Sequence, residues 1–75
     1  MPNVRPVSGA EVIRVLEKLG FKSVRQRGSH VVLKKQLPTG DVGCVVPLHR
    51  ELAPGTLRGI LKQAGLTPEE FIEKL

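Results

Sequence analysis

The chain has 75 residues, with 12 Lys or Arg, 7 Asp or Glu, 40% apolar positions and a formal net charge of +5 at pH 7. A chain of this length buries one modest core, so residues 1–75 are predicted to form a single domain, and a large two-lobed enzyme is excluded. Uninterrupted apolar runs reach only two or three residues, which excludes a membrane span and a signal-peptide core, and we expect a cytoplasmic protein without a membrane partner.

A first helix is predicted over residues 8–19. Ser8, followed three positions later by Glu11, forms a capping box that satisfies backbone N–H groups at the start of a helix. The apolar positions that follow recur at helical spacing: Val12, Val15, Leu16 and Leu19. Gly20 then suits the left-handed conformation in which many helices end.

Three strands follow, because segments rich in β-branched residues replace the helical pattern: Phe21–Arg27, His30–Lys35 and Val42–Pro47. Gly28-Ser29 predicts a two-residue hairpin turn, and a longer connection over residues 37–41 leads to the third strand, so antiparallel pairing is expected. Alternation in the second strand separates two faces, with Val31 and Leu33 on one and His30, Val32 and Lys34 on the other.

Two helices are predicted after the strands. The first has Leu57, Ile60, Leu61 and Ala64 at helical spacing and ends at Gly65. The second is short and begins at the capping box Thr67-Pro68-Glu69-Glu70, and its Phe71, Ile72 and Leu75 should cover the end of the core. The order α-β-β-β-α, with a short extra C-terminal helix, predicts an α+β fold in which helices pack on one face of a three-stranded antiparallel sheet.

The second face of such a sheet meets solvent, and the charge pattern indicates what it could bind. No acidic residue occurs from Lys18 to Gly40, where six cations fall: Lys18, Lys22, Arg25, Arg27, Lys34 and Lys35. Clustered Lys and Arg favour a polyanion through counterion release, although such runs can also be ordinary solvated side chains. The only aromatics, Phe21 and Phe71, are predicted core residues, which favours recognition of phosphates and 2′-hydroxyls over base stacking.

Few groups in the sequence can carry chemistry. The histidines, the single cysteine and the carboxylates show no metal-ligand spacing, so no metal site is predicted. Cys44 lies in an apolar strand and is interpreted as a small buried hydrophobe, and a lone cysteine excludes an intramolecular disulfide. Glu69 and Glu70 suit a helix start, and Glu73 is interpreted as solvated.

His30 is the main candidate catalytic residue, because it follows a tight turn among basic residues. A histidine exchanges protons near neutral pH, and RNA supplies its own nucleophile in the 2′-hydroxyl, so a base beside cations could cleave RNA without a metal. Gly28 would allow close backbone approach and Ser29 could bind a phosphate oxygen. A surface turn with an incidental histidine is the alternative.

Three further residues are weaker candidates. His49, just after the third strand, could protonate the leaving 5′-oxygen or could be a structural or exposed loop residue. Arg58 and Lys62 lie on the polar side of the second helix and could extend the phosphate-binding surface or contact a partner protein.

The chain resembles the HicA-type mRNA interferase toxins (HicA/YcfA-like) of toxin–antitoxin modules over nearly its whole length. The resemblance rests on four segments taken together: Glu11–Phe21, Arg25–His30, Val45–His49 and Pro54–Leu66. It implies a double-stranded-RNA-binding-domain-like fold, endoribonuclease activity on mRNA without a metal or other cofactor, and a HicB-type antitoxin as partner. The family's catalytic histidine falls on His30, and His49 falls on a recurring position to which the resemblance assigns no role.

These observations lead to one hypothesis and two alternatives. The hypothesis is a metal-independent mRNA interferase with His30 as general acid–base and an RNA-binding set of Arg25, Arg27, Gly28, Ser29, Lys34 and Lys35. The alternatives are a non-catalytic double-stranded RNA-binding module and an inactive toxin relative that serves as a protein-binding partner. Leu37, an apolar residue in the predicted connection, departs mildly from the family pattern and could touch a partner or pack.

Overall fold

The order of secondary-structure elements is the one the sequence predicts. The computed structural model describes residues 6–75, and residues 1–5, which the single-domain prediction includes, lie outside the described residues. The elements are α1 (Gly9–Lys18), β1 (Lys22–Arg27), β2 (His30–Leu37), β3 (Gly40–Pro47), α2 (Pro54–Ala64) and α3 (Pro68–Lys74). No helix within residues 6–75 is long and apolar enough to cross a membrane.

Helix α1 is capped by hydrogen bonds at both ends. The Ser8 hydroxyl accepts from the Glu11 backbone N–H at 3.1 Å, and the Glu11 carboxylate accepts from the Ser8 N–H at 3.0 Å, which completes the predicted capping box. At the other end Gly20 has a φ of 97°, and the N–H of Phe21 donates to the Leu16 carbonyl. This Schellman-type end turns the chain directly into β1.

The three strands form one antiparallel sheet in the order β1-β2-β3. Gly28 and Ser29 form the predicted two-residue turn between β1 and β2, where Arg27 lies opposite His30. Gly28 has a φ of 56°, a conformation that glycine adopts without the steric cost of a side chain, and glycine at this position is typical of a type II′ hairpin turn.

The connection between β2 and β3 differs from the prediction. The sequence predicts a loop over residues 37–41, whereas the ladder continues to the pair Leu37 and Gly40, and only Pro38 and Thr39 form the turn. The prediction is wrong because Gly40 is a typical turn residue but here pairs in the ladder, with a φ of 125°. Leu37 therefore ends a strand, and its side chain is exposed.

The core lies between one sheet face and the helices. On the sheet it is formed by the alternating residues of β2 and β3: Val31, Leu33, Cys44 and Val46. We call this side the core face. Helices α1 and α2 cover it with their apolar stripes, and Phe21 is buried at its edge. Burial raises the pKa of the Cys44 thiol to about 11, in agreement with its interpretation as a small hydrophobe.

The C-terminal helix α3 completes this core. Thr67 and Glu70 form the predicted capping box, and the hydrogen bonds from Thr67 lower the pKa of the Glu70 carboxyl. Phe71 is fully buried and Leu75 is partly buried against the core, as expected. The prediction that Ile72 joins them is wrong. Ile72 follows Phe71 directly, and successive residues of a helix point in different directions, so its side chain faces outward and is 38% exposed.

Candidate functional site

The sheet face turned away from the helices carries the candidate site. Residues that lie opposite each other in an antiparallel ladder share a face, so the strand register assigns its members. We call this side the open face, and its residues are Lys22, Arg25, Arg27, His30, Val32, Lys34, Gln36, Asp41, Gly43, Val45 and Pro47. As the alternation in β2 predicted, His30, Val32 and Lys34 share it, opposite in direction to the buried Val31 and Leu33.

Cations dominate the open face. Lys22 lies directly opposite Lys34, and Arg27 lies directly opposite His30. Like charges placed opposite each other across a strand pair destabilise a sheet, so the Lys22 and Lys34 pair is better suited to an anion lying over it than to the protein alone. The single carboxylate in the set, Asp41, lies at the far end, opposite Gln36. The open face near His30 therefore offers positive charge without a competing carboxylate.

A β-bulge in β1, which the sequence does not predict, places Lys22 on the open face. The register shifts between Ser23 and Arg25, so Ser23 lies opposite Leu33 and Lys22 lies opposite Lys34. In an uninterrupted strand, alternation from Arg25 would place Ser23 on the open face and Lys22 on the core face. The extra residue in the bulge, Val24, reverses this alternation and places Lys22 on the open face. Within the sequence, the acid-free basic window was the only signal that included Lys22.

Lys35 lies on the opposite side of the sheet from the other predicted RNA-binding cations. Neighbouring residues in a strand point to opposite faces, so Lys34 and Lys35 cannot share one. The Lys35 ammonium sits 5.9 Å from the centroid of the Phe21 ring, and its charge helps to lower the pKa of the Glu70 carboxyl. The structure thus brings Arg25, Arg27 and Lys34 together with His30 and leaves Lys35 beside α3.

The turn that leads into His30 is held from two directions. The side-chain amide of Gln26 donates to the Gly28 carbonyl at 3.0 Å. The backbone N–H of Leu48 donates to the Ser29 carbonyl at 2.6 Å. The imidazole of His30 is exposed and makes no hydrogen bond to residues 6–75. The backbone is therefore fixed while the side chain stays available to a ligand.

The remaining candidates fall in two places. His49 lies at the same end of the sheet as His30, and its carbonyl accepts from the N–H of Gly9 at 2.9 Å. Arg58 and Lys62 are exposed on α2, whose buried stripe packs on the core face, and the structure does not bring them to the open face. In residues 6–75 no group of three or more His, Cys, Asp or Glu side chains is arranged to hold a metal ion.

The family model for the HicA toxin of bacterial toxin–antitoxin modules matches residues 9–66. The matched segment runs from the start of α1 to just beyond α2 and so contains the whole sheet, the open face and both histidines. No curated protein matches the chain.

Proposed function

The chain belongs to the HicA toxin family of bacterial toxin–antitoxin modules, and from this premise we propose that it acts as a metal-independent endoribonuclease that cleaves mRNA with His30 as the general acid–base group. The observation that carries the proposal is the position of His30 on the open face. It lies opposite Arg27 at the end of a tight turn, on a sheet face where the charged residues in the next two rows of β1 and β2 are the cations Arg25, Lys22 and Lys34. This combination suits a phosphodiester substrate that contains its own nucleophile.

The proposed reaction uses the 2′-hydroxyl of the RNA as the nucleophile. An imidazole nitrogen of His30 removes the proton of a ribose 2′-hydroxyl, and the 2′-oxygen attacks the adjacent phosphorus as the bond to the 5′-oxygen breaks. Negative charge grows on the phosphate oxygens during the attack. Arg25 and Arg27 lie on the same face as His30 and would stabilise that charge. The leaving 5′-oxygen takes up a proton from water or from a protein acid, and His30 releases its proton to solvent, so the products are a 2′,3′-cyclic phosphate and a 5′-hydroxyl.

The RNA backbone would lie along the cationic rows. Lys22 and Lys34 form a pair on the open face about two rows from His30, so a strand that passes over Arg25 and Arg27 can continue onto them. Gly28 and Ser29 border His30 in the turn and are proposed to receive the phosphate beside the cut. Lys35 lies on the core face, where its ammonium is over the Phe21 ring, so we propose that it contacts RNA only from that side of the sheet.

Membership of a toxin–antitoxin family implies a protein partner, which we propose to be a HicB-type antitoxin. An antitoxin that blocks cleavage by covering the substrate surface must meet the open face, and its contact surface should therefore be acidic. We further propose that residues 1–75 act as one RNA-binding and ribonuclease domain and that it works in the cytoplasm, where mRNA is found.

The test of this function is cleavage of labelled RNA by the pure protein in the presence of a metal chelator, followed by analysis of the product ends. Cleavage with 2′,3′-cyclic phosphate and 5′-hydroxyl ends is expected. Products with a 5′-phosphate would exclude attack by the 2′-hydroxyl. Intact RNA that is nevertheless bound would favour the double-stranded RNA-binding module, and intact RNA without binding would favour an inactive toxin relative.

Arg25→Ala should weaken RNA binding in a salt-dependent way. Loss of one phosphate contact lowers the slope of log affinity against log salt by about 1. The measurement is RNA affinity at several salt concentrations, made on a His30→Ala background so that the RNA stays intact. Arg14→Ala is the matched control, because Arg14 is an exposed arginine on α1, away from the open face. Equal slopes for the two variants would show that the open face does not bind the RNA backbone.

A further inference from the structure

We propose that His49 is a second catalytic residue, the general acid that protonates the 5′-oxygen leaving group. The inference rests on the ribonuclease function proposed above and deepens it. A single imidazole can remove the 2′-hydroxyl proton, but the 5′-oxygen leaves as a poor, strongly basic group unless it receives a proton. A second proton-transfer group on the other side of the phosphate removes this difficulty.

The pairing of β2 with β3 continues beyond the end of β3. Pro47 lies opposite His30 in the ladder. The next residue, Leu48, donates its N–H to the Ser29 carbonyl at 2.6 Å, so the pairing continues one position past the regular strand. The chain at Leu48 is therefore still extended beside β2, and residues 48 and 49 should point to opposite sides of the sheet.

Leu48 and His49 point to opposite sides of the sheet. Leu48 lines a surface cavity together with Ile13 of α1 and Val31. Most of the other residues that line this cavity belong to the helix side, because Ser23, Gln26 and Val31 are core-face residues, and Arg25 is the one open-face residue among them. Leu48 therefore points toward the helices, and alternation places His49 on the open-face side, which is the side of His30.

The strand register also sets the separation of the two histidines. His49 follows Pro47 by two positions and is thus the diagonal neighbour of His30 across the ladder. In antiparallel pairs such diagonal neighbours have their Cβ atoms about 7–8 Å apart. Two imidazoles that extend from Cβ atoms at this spacing can lie on either side of one phosphodiester, one reaching the 2′-oxygen and the other the 5′-oxygen.

Backbone hydrogen bonds hold the segment that contains His49. The N–H of Gly9 donates to the His49 carbonyl at 2.9 Å, and that of Leu52 donates to the Val7 carbonyl at 2.8 Å. Gly9 packs so closely on the Pro47 carbonyl that no Cβ would fit there. The His49 side chain is exposed and makes no hydrogen bond to residues 6–75. The backbone is anchored and the imidazole is available, as at His30.

In the complete step, His30 begins neutral and His49 begins protonated. The 2′-hydroxyl proton passes to His30, the bond from phosphorus to the 2′-oxygen forms, the bond from phosphorus to the 5′-oxygen breaks, and the His49 proton passes to the 5′-oxygen. The products are a 2′,3′-cyclic phosphate, a 5′-hydroxyl, protonated His30 and neutral His49. Proton exchange with water restores both imidazoles, so no oxidant, reductant or metal ion enters the balance.

The test compares two RNA oligonucleotides that contain the same mapped cleavage site, one with the natural 5′-oxygen and one with sulfur in its place. A thiolate leaves without a proton, because a thiol is far more acidic than an alcohol. His49→Ala should slow cleavage of the oxygen substrate by roughly 10²–10⁴-fold and leave cleavage of the sulfur substrate close to that of the unmodified protein. His30→Ala is the matched control and should slow both substrates.

Two results would overturn the assignment of His49: full activity of His49→Ala on the oxygen substrate, or an equal loss on both substrates. The second of these would show that His49 binds or positions RNA without donating the proton. His49→Ala is expected to fold, because the hydrogen bond from the Gly9 N–H uses the His49 backbone carbonyl, and the circular dichroism spectrum of the variant checks this. Failure of the ribonuclease proposal itself looks different, since the unmodified protein would then cleave neither substrate.

Discussion

His30→Ala should abolish detectable RNA cleavage and relieve growth inhibition in cells that produce the protein. Loss of a general acid–base group lowers the rate by roughly 10²–10⁴-fold. Arg27, directly opposite His30, cannot replace the imidazole, because a guanidinium stays protonated at neutral pH and so cannot accept the 2′-hydroxyl proton. The measurement is the rate of product formation from labelled RNA in chelator, together with the growth curve.

Two controls separate a chemical loss from a structural one. The His30 side chain is exposed and carries no hydrogen bond within residues 6–75, so its removal should leave the thermal unfolding midpoint almost unchanged. RNA affinity should also be kept, since the cations of the open face remain. A folded His30→Ala protein that still cleaves RNA at the original rate would refute the assignment of His30.

Phe71→Ala should lower the free energy of unfolding by about 3–5 kcal/mol, the usual cost of replacing a buried phenylalanine by alanine. Phe71 is 0% exposed and belongs to the same core cluster as Leu16 of α1 and Leu61 of α2. Small domains have a total stability of about 5–15 kcal/mol, so this one change should remove a large share of it. The measurement is urea unfolding followed by circular dichroism.

This result would also show whether α3 belongs to the domain, because Phe71 lies beyond the residues 9–66 that the family model matches. Ile72→Ala is the matched control: it removes a side chain of similar character from the next position, but that side chain is 38% exposed. A loss below about 1 kcal/mol is expected there. Equal losses at the two positions would mean that α3 is not docked through Phe71.

Features that depend on neighbouring residues could be predicted from the sequence. The capping boxes at Ser8 and Thr67, the positive φ of Gly20 and the turn at Gly28 are each set within a few positions of chain, and all four are confirmed. The amphipathic spacing of α1 and α2 also identified the buried stripes, because burial follows the helical period. The local character of these signals explains why the order of elements was predicted correctly.

Which side chains from different strands share a face depends on the tertiary structure. The sequence alone shows a basic, acid-free segment with a histidine at a hairpin turn, a pattern that favours a polyanionic ligand. A one-residue bulge at Val24 carried Lys22 onto the open face, and the pairing of β1 with β2 placed Arg25 and Arg27 on the face of His30. Faces depend on strand register, and register is set by pairing between distant segments, so a single extra residue reverses the face of every residue beyond it.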